Sequence, residues 1–348
     1  NFIENSRIYF RSGLYDFSEV EIIENNVQIM NYGDEYVIFD GTKNINDLTI
    51  SGETWEVLTK QIVKDNNTIE DVSMYRIKLN PIFRPIQLFN NREEIINARY
   101  PSAQWYDESV YDLTNWCHGY YNKPDNDSAF YYENGEIIDF SHNNINLLSF
   151  VNQQKIIDSS FNLKNAMINL NVGSFKSYTK IVNRMETLDN PDRIKLYYDN
   201  VDLWKTKHHY YYLENKLEFL NSKNEWFYDK NENYLYVRLN NDINPMFSNI
   251  RVKIEPYILN INNSDNLEIK NINFFGTTLK ANSCNNLNIN YCNFLYPSCY
   301  HHMLNEINHN EPIDPTINQV FNSMTKVTGI STNCKFYRCA FKYCDGSV

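Results

Sequence analysis

The sequence has little glycine and proline, no long apolar run and a shortage of basic residues. Its 348 residues include only 10 Gly and 10 Pro, which argues against a linker-rich or disordered chain. No stretch approaches the roughly 18 consecutive apolar residues that a transmembrane helix requires, so no membrane span is predicted. With 32 Lys and Arg against 43 Asp and Glu, the net charge is −11. Such a surface disfavours DNA, RNA and pectin-like polyanions as partners, although a local basic groove can override the average.

Paired cysteine motifs are also missing. The seven cysteines show no Cys-x-x-Cys spacing, so neither a zinc site nor another metal or cofactor is predicted. The chain begins with Asn1 and shows no charged-then-apolar leader, which indicates either a removed leader or a trimmed fragment. N-glycosylation acceptor patterns begin at Asn66, Asn126 and Asn262. In a chain this rich in Asn they support a secreted location only weakly.

What the sequence does contain is a repeat near its C-terminus. The apolar positions of Asn266–Phe274 recur twenty residues later in Asn286–Phe294, and a third copy, Asn333–Phe341, follows 47 residues after the second. A fixed period near twenty, built of short alternating strands, is typical of a β-solenoid. Each coil should carry three short strands, with Leu267 and Ile269 facing inward. The Asn that opens each copy should hydrogen-bond from coil to coil as a ladder.

The alignment also predicts that side chains of successive coils stack in inward columns. Phe274, Phe294 and Phe341 share one column, and Cys292 and Cys339 share another. Inward side chains stacked in parallel seldom have the torsion of a disulfide, so buried free thiols are favoured over a bridge there. Because the sequence stops directly after a repeat strand, further coils are expected beyond it.

The presence or absence of the repeat pattern divides the chain into three predicted segments. Residues 1–99 are predicted to form an N-terminal cap and the first β-helix coils, and 250–348 the regular coils. Between them, 100–249 loses the period and is interpreted as an irregular elaboration. Within it, apolar spacing predicts a short amphipathic helix over 211–220, and two strand-like runs with a turn predict a β-hairpin over 225–239.

Four features give the chain a resemblance to a known family. They are Val37-Ile38-Phe39-Asp40-Gly41-Thr42, Leu88-Phe89 with Ala98-Arg99-Tyr100-Pro101, Glu225-Trp226-Phe227-Tyr228-Asp229 with Tyr234-Leu235-Tyr236, and the terminal coils. Together they resemble the right-handed parallel β-helix (pectate-lyase-like) superfamily, in an uncharacterised branch. The resemblance implies an all-β fold, a right-handed parallel β-helix (solenoid) with a large irregular insertion.

The resemblance leaves the function open, because members of the superfamily include polysaccharide lyases, glycoside hydrolases, phage tailspikes and adhesins. The Gly-His-Gly and paired aspartates of polygalacturonase-type hydrolases are absent. The outward column of Glu268, Asn288 and Lys335 does not supply the converging carboxylates that calcium-dependent lyases need.

The best catalytic candidates lie in the insertion between the second and third coils, roughly 296–330. Histidine titrates near neutrality, and a pair of carboxyl groups can cleave a glycosidic bond. The competing interpretation, which the odds favour, is a polar surface loop, since no triad or metal spacing is recognisable. The candidates are His301, His302, Glu306, Glu311 and Asp314.

A second candidate region combines aromatic rings with polar groups, which suits a sugar because a pyranose has an apolar face and a hydroxyl rim. The alternative, which is favoured, is packing within the elaborated segment. Arg99 is interpreted as a buried structural arginine rather than a catalytic one. The carbohydrate-binding candidates are Trp204, His208, His209 and Tyr210.

Three functions therefore remain open. The leading hypothesis is an extracellular or surface-exposed β-helix protein that interacts with a polysaccharide or glycan. The second is a rigid structural component of a virion, fibre or cell-surface assembly, with other chains of that assembly as partners. The third is a glycoside hydrolase or polysaccharide lyase. All three predict a location that is secreted, on the cell surface or on a virion surface.

Overall fold

The computed structural model describes residues 3–63, 69–83, 85, 87–120, 135–139, 163–173, 176–187, 194–198, 210–298 and 324–344. The regular secondary structure of these residues is β-strand with short 3₁₀ turns and no α-helix, which confirms the predicted all-β class. In the part of the chain that is described, no helix is long and apolar enough to cross a membrane. The short 3₁₀-helical turns are Ile45–Leu48, Ser109–Tyr111, Leu113–Asn115, Leu217–Phe219, Asn240–Asp242 and Pro245–Phe247.

Three parallel sheets form the repeating part of the molecule, and successive strands of the chain enter the first, second and third sheet in turn. The first sheet contains Arg7–Phe10, Gln28–Asn31, Glu268–Lys270, Asn288–Asn290 and Lys335–Tyr337. The second contains Gly13–Tyr15, Val37–Asp40, Asn273–Phe275, Asn293–Leu295 and Ala340–Lys342. The third contains Val20–Ile22, Tyr257–Asn262, Thr278–Asn282 and Lys326–Thr328.

The predicted inward columns are present between these sheets. Phe274 lies opposite Phe294, and Phe294 opposite Phe341, in neighbouring strands of the second sheet. Their rings stack with centroids 4.5 and 4.6 Å apart and planes within 6° of parallel. Ile269 and Ile289 form an equivalent column in the first sheet, and both are fully buried. The twenty-residue period therefore reports the spacing of stacked turns, as the sequence predicted.

The asparagine ladder is longer than predicted. Its five members are Asn5, Asn26, Asn266, Asn286 and Asn333, and each side-chain amide donates to the amide oxygen of the member before it. All five have a positive φ, between 52 and 60°. Asn tolerates this left-handed conformation better than other residues with a side chain. The ladder thus joins the first turns of the chain to the last ones, across the interruption of the period.

That interruption is an insertion between two stacked turns. Gln28–Asn31 pairs directly with Glu268–Lys270, and Gln28 donates to Glu268 across 240 residues of sequence. The described residues of the intervening chain form two further sheets of eight strands each. The first contains Thr42–Asn44, Ile250–Lys253, Leu88–Asn90, Glu93–Asn97, Glu225–Asp229, Tyr234–Arg238, Ile69–Lys78 and Glu56–Val63. The second contains Lys176–Ile181, Met167–Gly173, Tyr210–Glu214, Cys117–Tyr120, Gly135–Asp139, Ile194–Tyr198, Arg184–Thr187 and Arg99–Tyr100.

One predicted element of the inserted segment is contradicted by the structure, and another is present. The helix predicted over 211–220 is wrong: Tyr210–Glu214 is a strand, and only Leu217–Phe219 makes a single 3₁₀ turn. Asn215 interrupts any helix because its φ is 65°. The predicted hairpin is present as Glu225–Asp229 paired antiparallel with Tyr234–Arg238.

The cysteines and Arg99 follow the sequence interpretation. Cys292 and Cys339 are not joined by a disulfide; Cys292 is buried and Cys339 is half-buried. Those two occupy equivalent positions of neighbouring turns, since the amide of Ala340 donates to the carbonyl of Cys292. Arg99 is buried, and its guanidinium donates hydrogen bonds to backbone carbonyls.

Candidate functional site

The outer face of the third parallel sheet is a flat polar surface. Strand alternation sends Leu259 and Ile261 into the core, so Asn260 and Asn262 point outward. The register places Asn260 between Glu21 and Lys280 in the neighbouring strands. The outward side chains of the four strands are Glu21, Asn260, Asn262, Lys280, Asn282, Lys326 and Thr328.

Glu19 lies at one edge of this face and is held there by two donors. The Nδ2 of Asn260 donates to its Oε1 at 2.9 Å, and the Nζ of Lys280 donates to its Oε2 at 3.0 Å. The side chains of Glu19 and Lys280 are each 33% exposed. Lys280 also lies over the ring of Tyr257, with its Nζ 4.9 Å from the ring centroid. The Glu19 carboxylate is therefore fixed in position but still open to solvent.

A second carboxyl group, that of Glu255, sits beside Glu19 in a different environment. Burial raises the pKa of Glu255 above its ordinary value, and the negative charge of Glu19 raises it further. The backbone amide of Glu19 and the charge of Lys43 oppose this increase without cancelling it. A carboxyl group whose pKa is raised keeps its proton to a higher pH, which is the property that a general acid requires.

Gly41 allows Glu255 to lie where it does. The carbonyl oxygen of Gly41 accepts from the amides of Ile254 and Glu255 at 3.0 and 2.9 Å. A Cβ at Gly41 would lie 2.5 Å from the Glu255 carbonyl oxygen and 2.5 Å from the Cβ of Thr277. Only glycine fits at this point, where the chain leaves the stack, because a Cβ would collide with the returning chain at Glu255 and with Thr277.

A buried polar network anchors the same junction. The amide and hydroxyl of Thr42 both donate to Asp40 Oδ1, at 2.8 and 2.5 Å. Arg251 donates from Nε to the Thr42 hydroxyl at 2.7 Å, and its Nη2 lies 3.4 Å from Asp40 Oδ2. Burial raises the pKa of Asp40, while Thr42 and Arg251 counteract that increase. The network fixes the strand Ile250–Lys253, which leads directly to Glu255.

Acid–base cleavage of a glycosidic bond uses two carboxyl groups with different roles. A carboxyl group with a raised pKa can protonate the leaving oxygen, and a carboxylate beside it can activate water or act as the nucleophile. Asn260 and Lys280 place an amide and an ammonium group beside the Glu19 carboxylate on this face. Within the described residues, no group of three or more His, Cys, Asp or Glu side chains could hold a metal ion.

Most of the predicted site residues lie outside the described ranges. His301, His302, Glu306, Glu311 and Asp314 all fall within 299–323, so they stay predictions. The chain before that segment ends the strand Asn293–Leu295 of the second sheet, and the chain after it begins Lys326–Thr328 of the third sheet. The described chain that follows this segment therefore belongs to the third parallel sheet.

The predicted carbohydrate-binding residues are described only in part. Trp204, His208 and His209 lie outside the described residues. Tyr210 is half-buried and begins the strand Tyr210–Glu214, opposite His118. Its role in binding sugar is still a prediction.

The glycosylation candidates are likewise described only in part. Asn66 and Asn126 lie outside the described residues. Asn262 lies on the outer face of the third sheet, and its amide donates to Glu21 at 2.8 Å. The Ser264 of its acceptor pattern is buried and donates to the Glu24 carbonyl. Whether the site is modified stays a prediction.

Sequence reasoning missed Glu19 and Glu255. They are far apart in the sequence and belong to no recognisable motif. The signal available was strand alternation, which places Asn260 and Lys280 outward once Leu259 and Leu279 are taken as inward.

Comparison with known proteins gives one informative result. No protein-family model matches the chain, and no curated protein matches it. A solved structure described as a glycoside hydrolase resembles it with a TM-score of 0.55 and 12% sequence identity. The likeness covers 82% of this chain and 54% of that one, so this chain spans about half the length of the structure it resembles. At this identity the likeness concerns the fold alone.

Proposed function

We propose that this chain is a right-handed parallel β-helix protein that binds polysaccharide on the outer face of its third parallel sheet. The three-sheet stack, the twenty-residue period and the family resemblance support the fold. The observation that carries the function is the Glu19 carboxylate, held by Asn260 and Lys280 on an open polar surface. Sugar hydroxyls donate and accept hydrogen bonds at once, and this row of amide, ammonium and carboxylate groups offers both kinds of partner.

Binding can be tested with a variant and a closely matched control. Asn260→Ala removes an outward amide that donates to Glu19. Asn290→Ala removes an outward amide on the first sheet, which donates to Glu268 at 3.1 Å in the same way. Affinity for polysaccharides in a panel should fall with Asn260→Ala and stay unchanged with Asn290→Ala, as measured by affinity electrophoresis. Equal affinities for the two variants would show that the third sheet is not the binding face.

Glycoside hydrolysis is the second candidate, favoured by the carboxyl pair and consistent with the name of the structural neighbour. Glu255 is the proton donor in this scheme, and Glu19 is the base or nucleophile. Replacing a general acid typically costs about 10²- to 10⁴-fold in rate. Release of reducing ends should therefore fall by that factor in Glu255→Gln and stay normal in Glu268→Gln. If Glu255→Gln retains full turnover while His302→Ala or Glu311→Gln abolishes it, the chemistry belongs to the segment 299–323 instead.

The location and the assembly state belong to the same proposal. A protein that binds polysaccharide is expected to be secreted or exposed on a cell or virion surface, and glycosylation at Asn66, Asn126 or Asn262 would fit that location. A mass decrease on glycosidase treatment of native protein tests it. The alternative role, a rigid component of a fibre or virion, rests on the continuous asparagine ladder. Recovery of the chain only within a larger particle, without glycan binding, would support that role.

A further inference from the structure

The loop 101–116 carries three aromatic rings into solvent. Trp105 is 46% exposed, Tyr106 71% and Tyr111 73%. Trp105 and Tyr111 lie edge to face, with ring centroids 6.0 Å apart. Large aromatic side chains that are grouped on one short loop and exposed to solvent mark a site of interaction. The loop belongs to the insertion and not to the third parallel sheet.

Arg99 holds both ends of this loop. Its Nε donates to the carbonyl of Pro101 at 2.9 Å, and its Nη2 donates to the carbonyl of Asn115 at 3.0 Å. The guanidinium is buried and stacks over the ring of Tyr212, 4.0 Å from the centroid. A buried cation bonded to both ends closes the loop, so its shape does not depend on a ligand.

The interior of the loop is also tied to itself. The Nδ2 of Asn115 donates to the carbonyl of Ser109 at 3.0 Å, and the indole nitrogen of Trp116 donates to the carbonyl of Val110 at 3.1 Å. Gln104 ties the loop to a distant part of the same chain, because its Nε2 donates a hydrogen bond to the carbonyl of Lys223 at 2.9 Å. The rings are therefore presented by a preorganised loop, which reduces the entropy lost on binding.

The charge of the loop narrows the chemical class of ligand. It contains Asp107, Glu108 and Asp112 and no Lys or Arg. Hydrogen bonds from Ser109 hold the pKa of Asp107 below its ordinary value, and hydrogen bonds from Thr114 do the same for Asp112. The loop surface is thus negative at neutral pH, so it repels anionic ligands and accepts hydrogen bonds from hydroxyl groups.

We propose that loop 101–116 is a binding site for neutral glycans, separate from the face of the third sheet. The rings of Trp105, Tyr106 and Tyr111 stack on the apolar faces of sugar rings, and the carboxylates between them accept from the hydroxyl rims. Uronic-acid polymers, nucleic acids and anionic lipid headgroups are excluded by the same carboxylates. The site stands independently of the proposed carboxyl pair, since no residue is shared.

The test uses the whole chain and four neutral polysaccharides: a dextran, a β-glucan, a xylan and a galactomannan. Affinity electrophoresis compares wild type, Trp105→Ala, Tyr111→Ala and the control Tyr36→Ala, whose ring is 59% exposed on the parallel stack. Loss of a central aromatic anchor should weaken binding to the preferred polysaccharide by about tenfold or more. Tyr36→Ala should bind as the wild type does. Polygalacturonate should not bind to the loop at all.

The outcomes separate this site from the one proposed on the third sheet. If Asn260→Ala weakens binding and the loop variants do not, the loop proposal is wrong and the sheet proposal stands. If only the loop variants weaken binding, the loop proposal holds and the sheet is not the binding face. Loop-dependent association with phosphatidylcholine vesicles or with a protein, and with none of the four polysaccharides, would overturn the glycan assignment.

Discussion

The asparagine ladder allows a stability prediction that separates hydrogen bonding from backbone conformation. Asn266 donates to Asn26 and accepts from Asn286, both at 2.9 Å, and its φ is 60°. Asn266→Ala removes both exposed hydrogen bonds, each contributing about 0.5–1 kcal/mol. It also places a Cβ without an amide in the left-handed region, at about 1–2 kcal/mol. The free energy of unfolding should therefore fall by about 3 kcal/mol.

Asn266→Gly is the informative companion. Glycine adopts the left-handed conformation freely but loses the same two hydrogen bonds, and it adds some entropy to the unfolded chain. Its cost should be smaller, about 2 kcal/mol. Urea denaturation of the three proteins, followed by far-UV circular dichroism, measures the differences from the midpoints at constant slope. An alanine variant within 0.5 kcal/mol of wild type would contradict the ladder's role, and equal costs for alanine and glycine would contradict the conformational part.

Two further predictions concern buried groups. Glu225 is fully buried, and burial raises its pKa from 4.5 to about 8. The unfolded chain loses this proton near pH 4.5 and the folded chain retains it to about 8, so unfolding free energy should fall as pH rises through that window. Urea titrations at pH 5 and 8 should show a smaller fall for Glu225→Gln, and an identical fall would refute the assignment. Gly41→Ala should lower stability by about 1–3 kcal/mol through overpacking, because its Cβ would lie 2.5 Å from the Glu255 carbonyl oxygen. A calorimetric midpoint equal to that of the wild type would count against it.

The repeating part of the fold was predictable because each turn repeats the same short pattern. Leu267 and Ile269 alternate with polar residues, so the pattern reports which side chains enter the core. The turn asparagines need a left-handed conformation, which few other residues tolerate. The spacing of the repeat does not indicate the handedness of the turns, so the right-handed assignment is still part of the proposal.

The inserted segment was harder to predict. Leu213, Leu217 and Leu220 have helical spacing, but the buried Tyr211 and Leu213 also alternate with the half-buried Tyr210 and Tyr212, as a strand requires. Tyr favours strands where neighbouring strands supply packing, and here Met167–Gly173 and Cys117–Tyr120 supply it. A single sequence does not reveal those long-range partners, so the local spacing led to the wrong prediction of a helix over 211–220.

The carboxyl pair was not predictable for a related reason. Glu19 precedes the first strand of the third sheet, and Glu255 precedes the second, more than two hundred residues later. Nothing near either residue resembles a catalytic motif. They become neighbours only when the insertion returns the chain to the stack, guided by Gly41 and the network of Asp40, Thr42 and Arg251.

The pairing of Gln28–Asn31 with Glu268–Lys270 also sets the order in which the molecule can fold during synthesis. At about 5–20 residues per second, the partner strand leaves the ribosome roughly 10 to 50 seconds after the first one. Closing such a connection costs about 2 kcal/mol more than closing one of twenty residues. Until then one edge of the strand Gln28–Asn31 is paired with Arg7–Phe10, and its other edge is open to pairing with other chains. The local hairpins of the inserted segment, such as Glu56–Val63 with Ile69–Lys78 and Glu225–Asp229 with Tyr234–Arg238, should form first. The pairing of Thr42–Asn44 with Ile250–Lys253 then brings the two halves of the stack together.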